Sequence, residues 1–205
     1  MTTELPLRER KKLRTRQALA QAALELFTEK GFDATTLDEI VRAVEVSKRT
    51  FFRTYASKED VALAPERELW SAYLADLAER PLRGSLLAIH QAALTDTLAT
   101  MPDDWADRFT ASRRIAEATP ALNAHSLRFC ADTSDAAVDT VIDRLGPAAP
   151  DRILVHLSLD TMIAAWHWAQ RAWTEQGAGP GLAEHVERAF AAIRPSLDLV
   201  VPAAG

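Results

Sequence analysis

Residues 35–60, TTLDEIVRAVEVSKRTFFRTYASKED, read as a helix, a tight turn and a second helix with a basic outer face. In the first helix Leu37, Ile40, Val41 and Val44 fall at i, i+3, i+4 and i+7, one buried stripe on a 3.6-residue period. Thr35 or Thr36 can cap its start, and Glu39 stands three residues after Thr36, the spacing of a capping box. Ser47 is a good N-cap for the second helix, which turns Phe51 and Tyr55 inward and leaves Lys48, Arg49, Arg53 and Lys58 in solvent. Two short helices with almost no linker cross at a large angle. The second can then enter the major groove of a duplex while the first packs across its back.

Outward from this stretch the chain reads as all helix, with no run of period-two alternation, no internal repeat and no low-complexity tract. A first helix is expected from about Leu13 to Lys30, with Leu19, Ala23, Leu26 and Phe27 inward and Gly31 just past its end. Ser57 starts a long helix that ends near Arg80, before Pro81, and Pro65 should kink it or split off its first turn. Breaks at Pro102, Pro120, Gly146-Pro147, Gly177 to Gly181 and Pro195 imply further helices over about 85–100, 103–118, 121–145, 150–176 and 182–200. The expected fold class is therefore all-α, with about nine helices.

The 205-residue chain is 48% hydrophobic, enough for a real core. It has no run of about 18 apolar residues and no signal-peptide h-region, so a soluble, cytoplasmic protein without a membrane partner is expected. Cys130 is the single cysteine and has no ligand-spaced Cys or His neighbour, which supports neither a disulfide scaffold nor a metal site; a half-buried thiol is expected. No cofactor motif occurs. The net charge of −5 conceals an asymmetry: residues 1–60 carry 12 Lys+Arg against 10 Asp+Glu, and the other 145 carry 12 against 19. All five lysines lie in that first segment. An acidic body with a basic head is drawn to DNA in one orientation.

Residues 13–60 resemble the N-terminal DNA-binding domain of the TetR family of bacterial transcriptional repressors. The resemblance rests on Leu26, Phe27 and Lys30-Gly31-Phe32, Thr35-Thr36 before Ile40, Val46-Ser47-Lys48-Arg49-Thr50, and Tyr55-Ala56-Ser57-Lys58-Glu59. It implies a three-helix DNA-binding domain over residues 1–56 and a ligand-binding and dimerisation domain over 57–205. It also implies a repressor that binds a palindromic operator in double-stranded DNA as a homodimer and is released by a small-molecule effector. Two positions depart from the family pattern. The turn carries Val44-Glu45 where a small residue and Gly are usual, and Phe52 replaces a phosphate-binding Tyr while Thr54 stands where His is common.

Base edges should be read by Lys48, Arg49, Thr50, Arg53 and Thr54, since Arg or Lys suits guanine and Thr can meet a thymine methyl. Thr36, Ser47, Tyr55 and Lys58 match the family's phosphate contacts, with a core aromatic as the other reading of Tyr55 and a solvated charge as that of Lys58. Arg14 and Arg16 can reach a neighbouring phosphate or the minor groove.

In the body, the resemblance implies an effector pocket, for which the aromatic candidates are Trp70, Tyr73, Trp105, Phe109, Phe129 and Trp166, with Met162. His90, Arg113, Asn123 and His125 are candidate polar anchors. The aromatic content favours a largely apolar effector, and Arg113 with Arg114 could hold an acidic group. Along 151–173, Leu154, Leu157, Thr161, Ala165 and Trp168 form one apolar row, and Val155, Leu159, Met162, Ile163 and Trp166 another. The next helix offers Leu182, Val186, Ala189, Phe190, Ile193 and Leu197 as a single stripe. These last two helices, about 150–176 and 182–200, are expected to form a four-helix dimer interface with their symmetry mates.

Two other classes compete: a DNA-binding regulator without an effector, and an enzyme. His156 and Asp160 share a helical face near Ser158, yet no strand-turn-helix elbow and no glycine-rich phosphate loop accompany them, so no catalytic residue is assigned.

Overall fold

The computed structural model describes residues 6–177 and 181–200; part of the expected break between Gly177 and Gly181 lies outside the described residues. Among these there are ten α-helices, one 3₁₀ turn at Gly146–Ala148 and no strand. The helices are α1 (Leu7–Lys30), α2 (Leu37–Ala43), α3 (Lys48–Thr54), α4 (Lys58–Ala62), α5 (Ala64–Glu79), α6 (Leu86–Ala99), α7 (Trp105–Ala118), α8 (Pro120–Leu145), α9 (Arg152–Glu175) and α10 (Leu182–Leu197). Ten replace the expected nine because the span after Ser57 divides at Leu63. Pro65 has no N–H to give the carbonyl four residues back, so the first turn separates as α4. Helix α1 starts six residues earlier than expected, directly after Pro6.

The chain packs as two units. The first comprises residues up to Glu68 together with Asp104–Phe129. Its core joins Leu19, Ala23 and Phe27 of α1 to Ile40 and Val41 of α2, Phe51 of α3, Val61 and Ala62 of α4, and Ala116 of α7. Helix α7 is fastened there by side chains that satisfy the frayed carbonyls around α4. Ser112 Oγ donates to Ala62 O at 2.6 Å, and Trp105 Nε1 donates to Pro65 O at 3.0 Å.

The second unit comprises Leu69–Asp103 and the residues from Cys130 onward. Helix α9 is its axis. Val155, Leu159, Met162, Trp166 and Trp173 are buried along one side, with α10 and α6 packed against it. The α10 stripe expected to meet a second subunit is used within the chain instead: Val186, Ala189, Phe190 and Ile193 are buried, while Leu197 is exposed. An amphipathic stripe shows that a helix needs a partner without showing which, and here α9 of the same chain supplies it. What α9 leaves outside is part of the other apolar row, with Leu154, Leu157 and Trp168 exposed and Ile153 beside them, while Ala165 is buried.

Candidate nucleic-acid interface

Helix α2 begins with the capping box expected of it. Thr36 Oγ1 accepts from Glu39 N at 3.3 Å, and the Glu39 carboxylate accepts from Thr36 N at 2.8 Å. Lys30 Nζ, 2.6 Å from the same carboxylate, together with the Thr36 donors pulls the Glu39 pKa down to about 2, so this cap stays ionised at any ordinary pH. Thr35 turns the other way. It is buried, and its hydroxyl donates to Leu26 O and Gly31 O, which closes the end of α1 where Gly31 takes a φ of 87°.

The turn into α3 is a Schellman closure. Val46 N donates to Val41 O at 3.0 Å and Glu45 N donates to Arg42 O at 3.1 Å, with Val46 packed on the core. The residue at the left-handed position is Glu45, with φ 54°, the single non-glycine positive φ among the described residues. The departure from the family's glycine therefore leaves the turn intact and places the strain on one side chain.

Helix α3 is capped by Ser47, whose Oγ accepts from Thr50 N at 3.1 Å. Its inner face is fixed by Phe51, fully buried, and by Tyr55 just beyond its end. Its outer face presents Lys48, Arg49, Phe52 and Arg53 to solvent, with Thr50 and Thr54 half-buried at the edges. Lys48 Nζ lies 2.9 Å from Asp38 of α2. Thr36, Ser47, Arg14 and Arg16 are exposed as well, the last with its guanidinium 5.4 Å from the Tyr55 ring centroid.

Two expected phosphate contacts are corrected. Tyr55 is a core aromatic: it is 4% exposed, its hydroxyl donates to Arg16 O at 3.0 Å, and burial pushes its phenol up to about 12. Lys58 is directed inward. Its ammonium donates to Phe32 O at 2.8 Å and Thr35 O at 3.0 Å and lies 4.2 Å from the Phe32 ring centroid. It ties α4 to the loop that presents α2, and is thus a positioning residue. Thr35 and Glu45 are positioning residues as well, Thr35 closing the end of α1 in place of capping α2 and Glu45 itself taking the left-handed position of the turn.

The eleven expected effector contacts divide between the two units. Six belong to the first, and five of these are engaged there. Trp105 stacks on Phe109 at 4.8 Å, Phe129 lies under the Arg67 guanidinium, and His125 Nε2 is 3.1 Å from Asp60. Arg113, the expected anchor for an acid, donates to Ser126 Oγ at 3.3 Å and is 3.7 Å from Glu117. Burial raises the pKa of Glu66, which accepts from the same Ser126 hydroxyl and is opposed by the Arg113 charge. Asn123 is exposed.

The other five gather in the second unit. Trp70 meets Tyr73 and Trp166 edge-on at 5.4 and 6.0 Å, Met162 is buried, and Tyr73 Oη is 2.7 Å from His90 Nδ1. Burial holds the His90 imidazole down at about 4, so it is neutral. Beside this cluster a cavity of about 10 Å³ is lined by Trp70, Tyr73, Cys130, Thr133, Ser134, Ala137, Leu159 and Ile163. Its walls carry aromatic, aliphatic, hydroxyl and thiol groups and no formal charge.

Residues 19–64 match the model of the family described as bacterial regulatory proteins, tetR family. The HTH-type transcriptional regulator TcmR of Streptomyces glaucescens is 34% identical over 201 residues, covering 93% of this chain and 88% of that protein. Among solved structures, a TetR-family transcriptional regulator from Syntrophomonas wolfei superposes with a TM-score of 0.57 at 15% identity, covering 93% of this chain and 98% of that one. The TetR-family repressor FadR of Thermus thermophilus, solved with lauroyl-CoA, gives 0.50 at 21% identity over the same shares. Among the described residues no helix is long and apolar enough to cross a membrane, and no group of His, Cys, Asp and Glu is arranged to hold a metal ion.

Proposed function

The chain belongs to the tetR family of bacterial regulatory proteins, and from that premise we propose that it is a repressor which grips a palindromic operator as a homodimer and releases it when a small, largely apolar molecule enters the second unit. One observation carries the DNA reading. Helix α3 is anchored by Phe51 and Tyr55 on its inner side, so Lys48, Arg49 and Arg53 are held outward on a rigid rod. Lys48, Arg49 and Thr50 are the residues for base edges, with Arg53 and Thr54 a turn on. Thr36, Ser47, Arg14 and Arg16 are placed for phosphates.

The dimer reading is supported by α9, where Ile153, Leu154, Leu157 and Trp168 are 60%, 57%, 55% and 43% exposed. Large apolar side chains grouped on one helix and open to water mark an interaction surface. The partner face is therefore assigned to this row of α9 with the small outward residues of α10, in an isologous contact. Leu157→Asp should convert the dimer to monomer in light scattering, and a wild-type chain that is monomeric at micromolar concentration sinks the assignment.

The effector reading is supported by the cluster around Trp70, Tyr73, His90 and Trp166. A cavity of about 10 Å³ has room for one water at most, so an effector must part its walls, which is how binding would couple to a change of body conformation. FadR was solved with lauroyl-CoA; the uncharged lining here suits a ligand whose buried portion is neutral. Footprinting on the DNA upstream of the chain's own gene tests the whole reading. It should show a protected palindrome whose half-sites lie roughly 34 to 36 Å apart, and loss of protection with an apolar ligand would identify the effector.

A further inference from the structure

Between the start of α1 and the end of α3 lies a groove of about 620 Å³, lined by Leu7, Arg8, Glu9, Lys11, Lys12 and Thr15 from α1 and by Arg53 and Thr54 from α3. Arg8, Lys11, Lys12 and Thr15 stand at i, i+3, i+4 and i+7, so they form one face of α1, and Arg53 closes the groove from the other side. Four cations thus converge on a concave surface against one carboxylate, that of Glu9, and all five side chains are exposed. Like charges held side by side repel one another. A fold that places them there has a positive potential focused in the groove and a corresponding gain when an anion fills it.

We propose that this groove is a second DNA-binding site of the chain, a seat for the sugar-phosphate backbone alongside the groove that α3 enters. The proposal rests on the DNA reading above and extends it in a definite way. The ligand is backbone phosphate, contacted by Arg8, Lys11 and Lys12 without regard to sequence, while Arg53 stands at the junction of the backbone seat and the base-reading face. Thr15 and Thr54 already give their hydroxyl protons to Lys11 O and Thr50 O, so the seat recognises charge through its cations and not through its hydroxyls. Contacts of this kind add affinity and salt dependence and leave base preference unchanged.

The test uses the full chain and a fluorescent duplex of about 30 base pairs of mixed sequence, because phosphate contacts need no operator. Binding is measured by anisotropy from roughly 50 to 200 mM salt for three proteins: wild type, Arg8→Gln/Lys11→Gln/Lys12→Gln, and a charge-matched control, Arg83→Gln/Arg114→Gln/Arg128→Gln. Each phosphate contact contributes about 0.9 to the slope of log K against log salt, so the groove variant should lose about 2 to 3 from the slope per protomer, and weaken at least about tenfold at low salt. The control should lose markedly less. All six positions are exposed, so the thermal midpoint should not move. An unchanged slope in the groove variant, while wild type binds, overturns the site; so does an equal loss in the control, which would assign the effect to overall charge. A wild type with no affinity for duplex at any salt overturns the underlying DNA reading instead.

Discussion

Lys58→Ala should destabilise the first unit and leave the salt dependence of DNA binding where it is. The ammonium makes two short hydrogen bonds, to Phe32 O and Thr35 O, and a cation–π contact with the Phe32 ring. A hydrogen bond to a charged group contributes about 1.5 to 3 kcal/mol, and a cation–π contact about 0.5 to 1. Lys58 is only half-buried and water can reach the two carbonyls once it is gone, so about half of that sum, roughly 2 to 3 kcal/mol, is the expected loss. For a chain of this size that lowers the melting midpoint by about 5 to 10 °C in a circular-dichroism scan. Lys58→Met, which keeps the stem over Phe32 but removes the donors, should show most of the same loss. If Lys58 held a phosphate instead, the midpoint would stay put and the slope of log K against log salt would fall by about 0.9 per protomer. That pair of results would refute the inward assignment.

Glu45→Gly should stabilise the chain: a side chain at φ 54° costs about 1 to 2 kcal/mol, glycine returns about 0.5 to 1 of that as unfolded-state entropy, and the net gain of about 0.5 to 1 kcal/mol is readable as a rise of about 2 °C. Phe52 is 55% exposed on the outer face of α3, so Phe52→Tyr adds a hydroxyl there without disturbing the core and should tighten binding to all duplexes by about 2- to 10-fold in the anisotropy assay. His90 is held at about 4 in the folded chain against 6.5 as the ordinary value. The unfolded chain therefore takes up a proton first as pH falls. Stability should drop by about 3 kcal/mol between pH 6.5 and about 4, and His90→Gln, followed by urea unfolding across that window, should flatten the slope.

What the sequence made legible was local. The Thr36–Glu39 box, the Ser47 cap, the positive φ after Lys30 and the break near Pro65 are each decided within four residues, and each stands where spacing put it. The destinations of Tyr55 and Lys58 were not legible, because the acceptor for one lies 39 residues away and the two for the other lie 26 and 23 away. The amphipathic stripe of α10 was visible, yet nothing in it distinguishes a partner subunit from α9. The aromatic residues of the body were likewise visible, but their division between two clusters follows from long-range contacts such as Ser112 to Ala62 and Trp105 to Pro65, which draw α7 into the first unit.

The Lys48–Asp38 pair has a consequence for how tightly Lys48 could hold an anion brought to the outer face of α3. The carboxylate stands 2.9 Å from the ammonium before any duplex arrives, so it acts as a resident competitor for that cation. Both groups are exposed, and such a pair is worth less than about 1 kcal/mol, too little to hold Lys48 against a well-aligned guanine but comparable to what a passing phosphate offers. Leaving Asp38 costs Lys48 the same amount on any duplex, so an acidic side chain on the supporting helix would lower affinity for matching and arbitrary sequence alike and leave their ratio no larger than before.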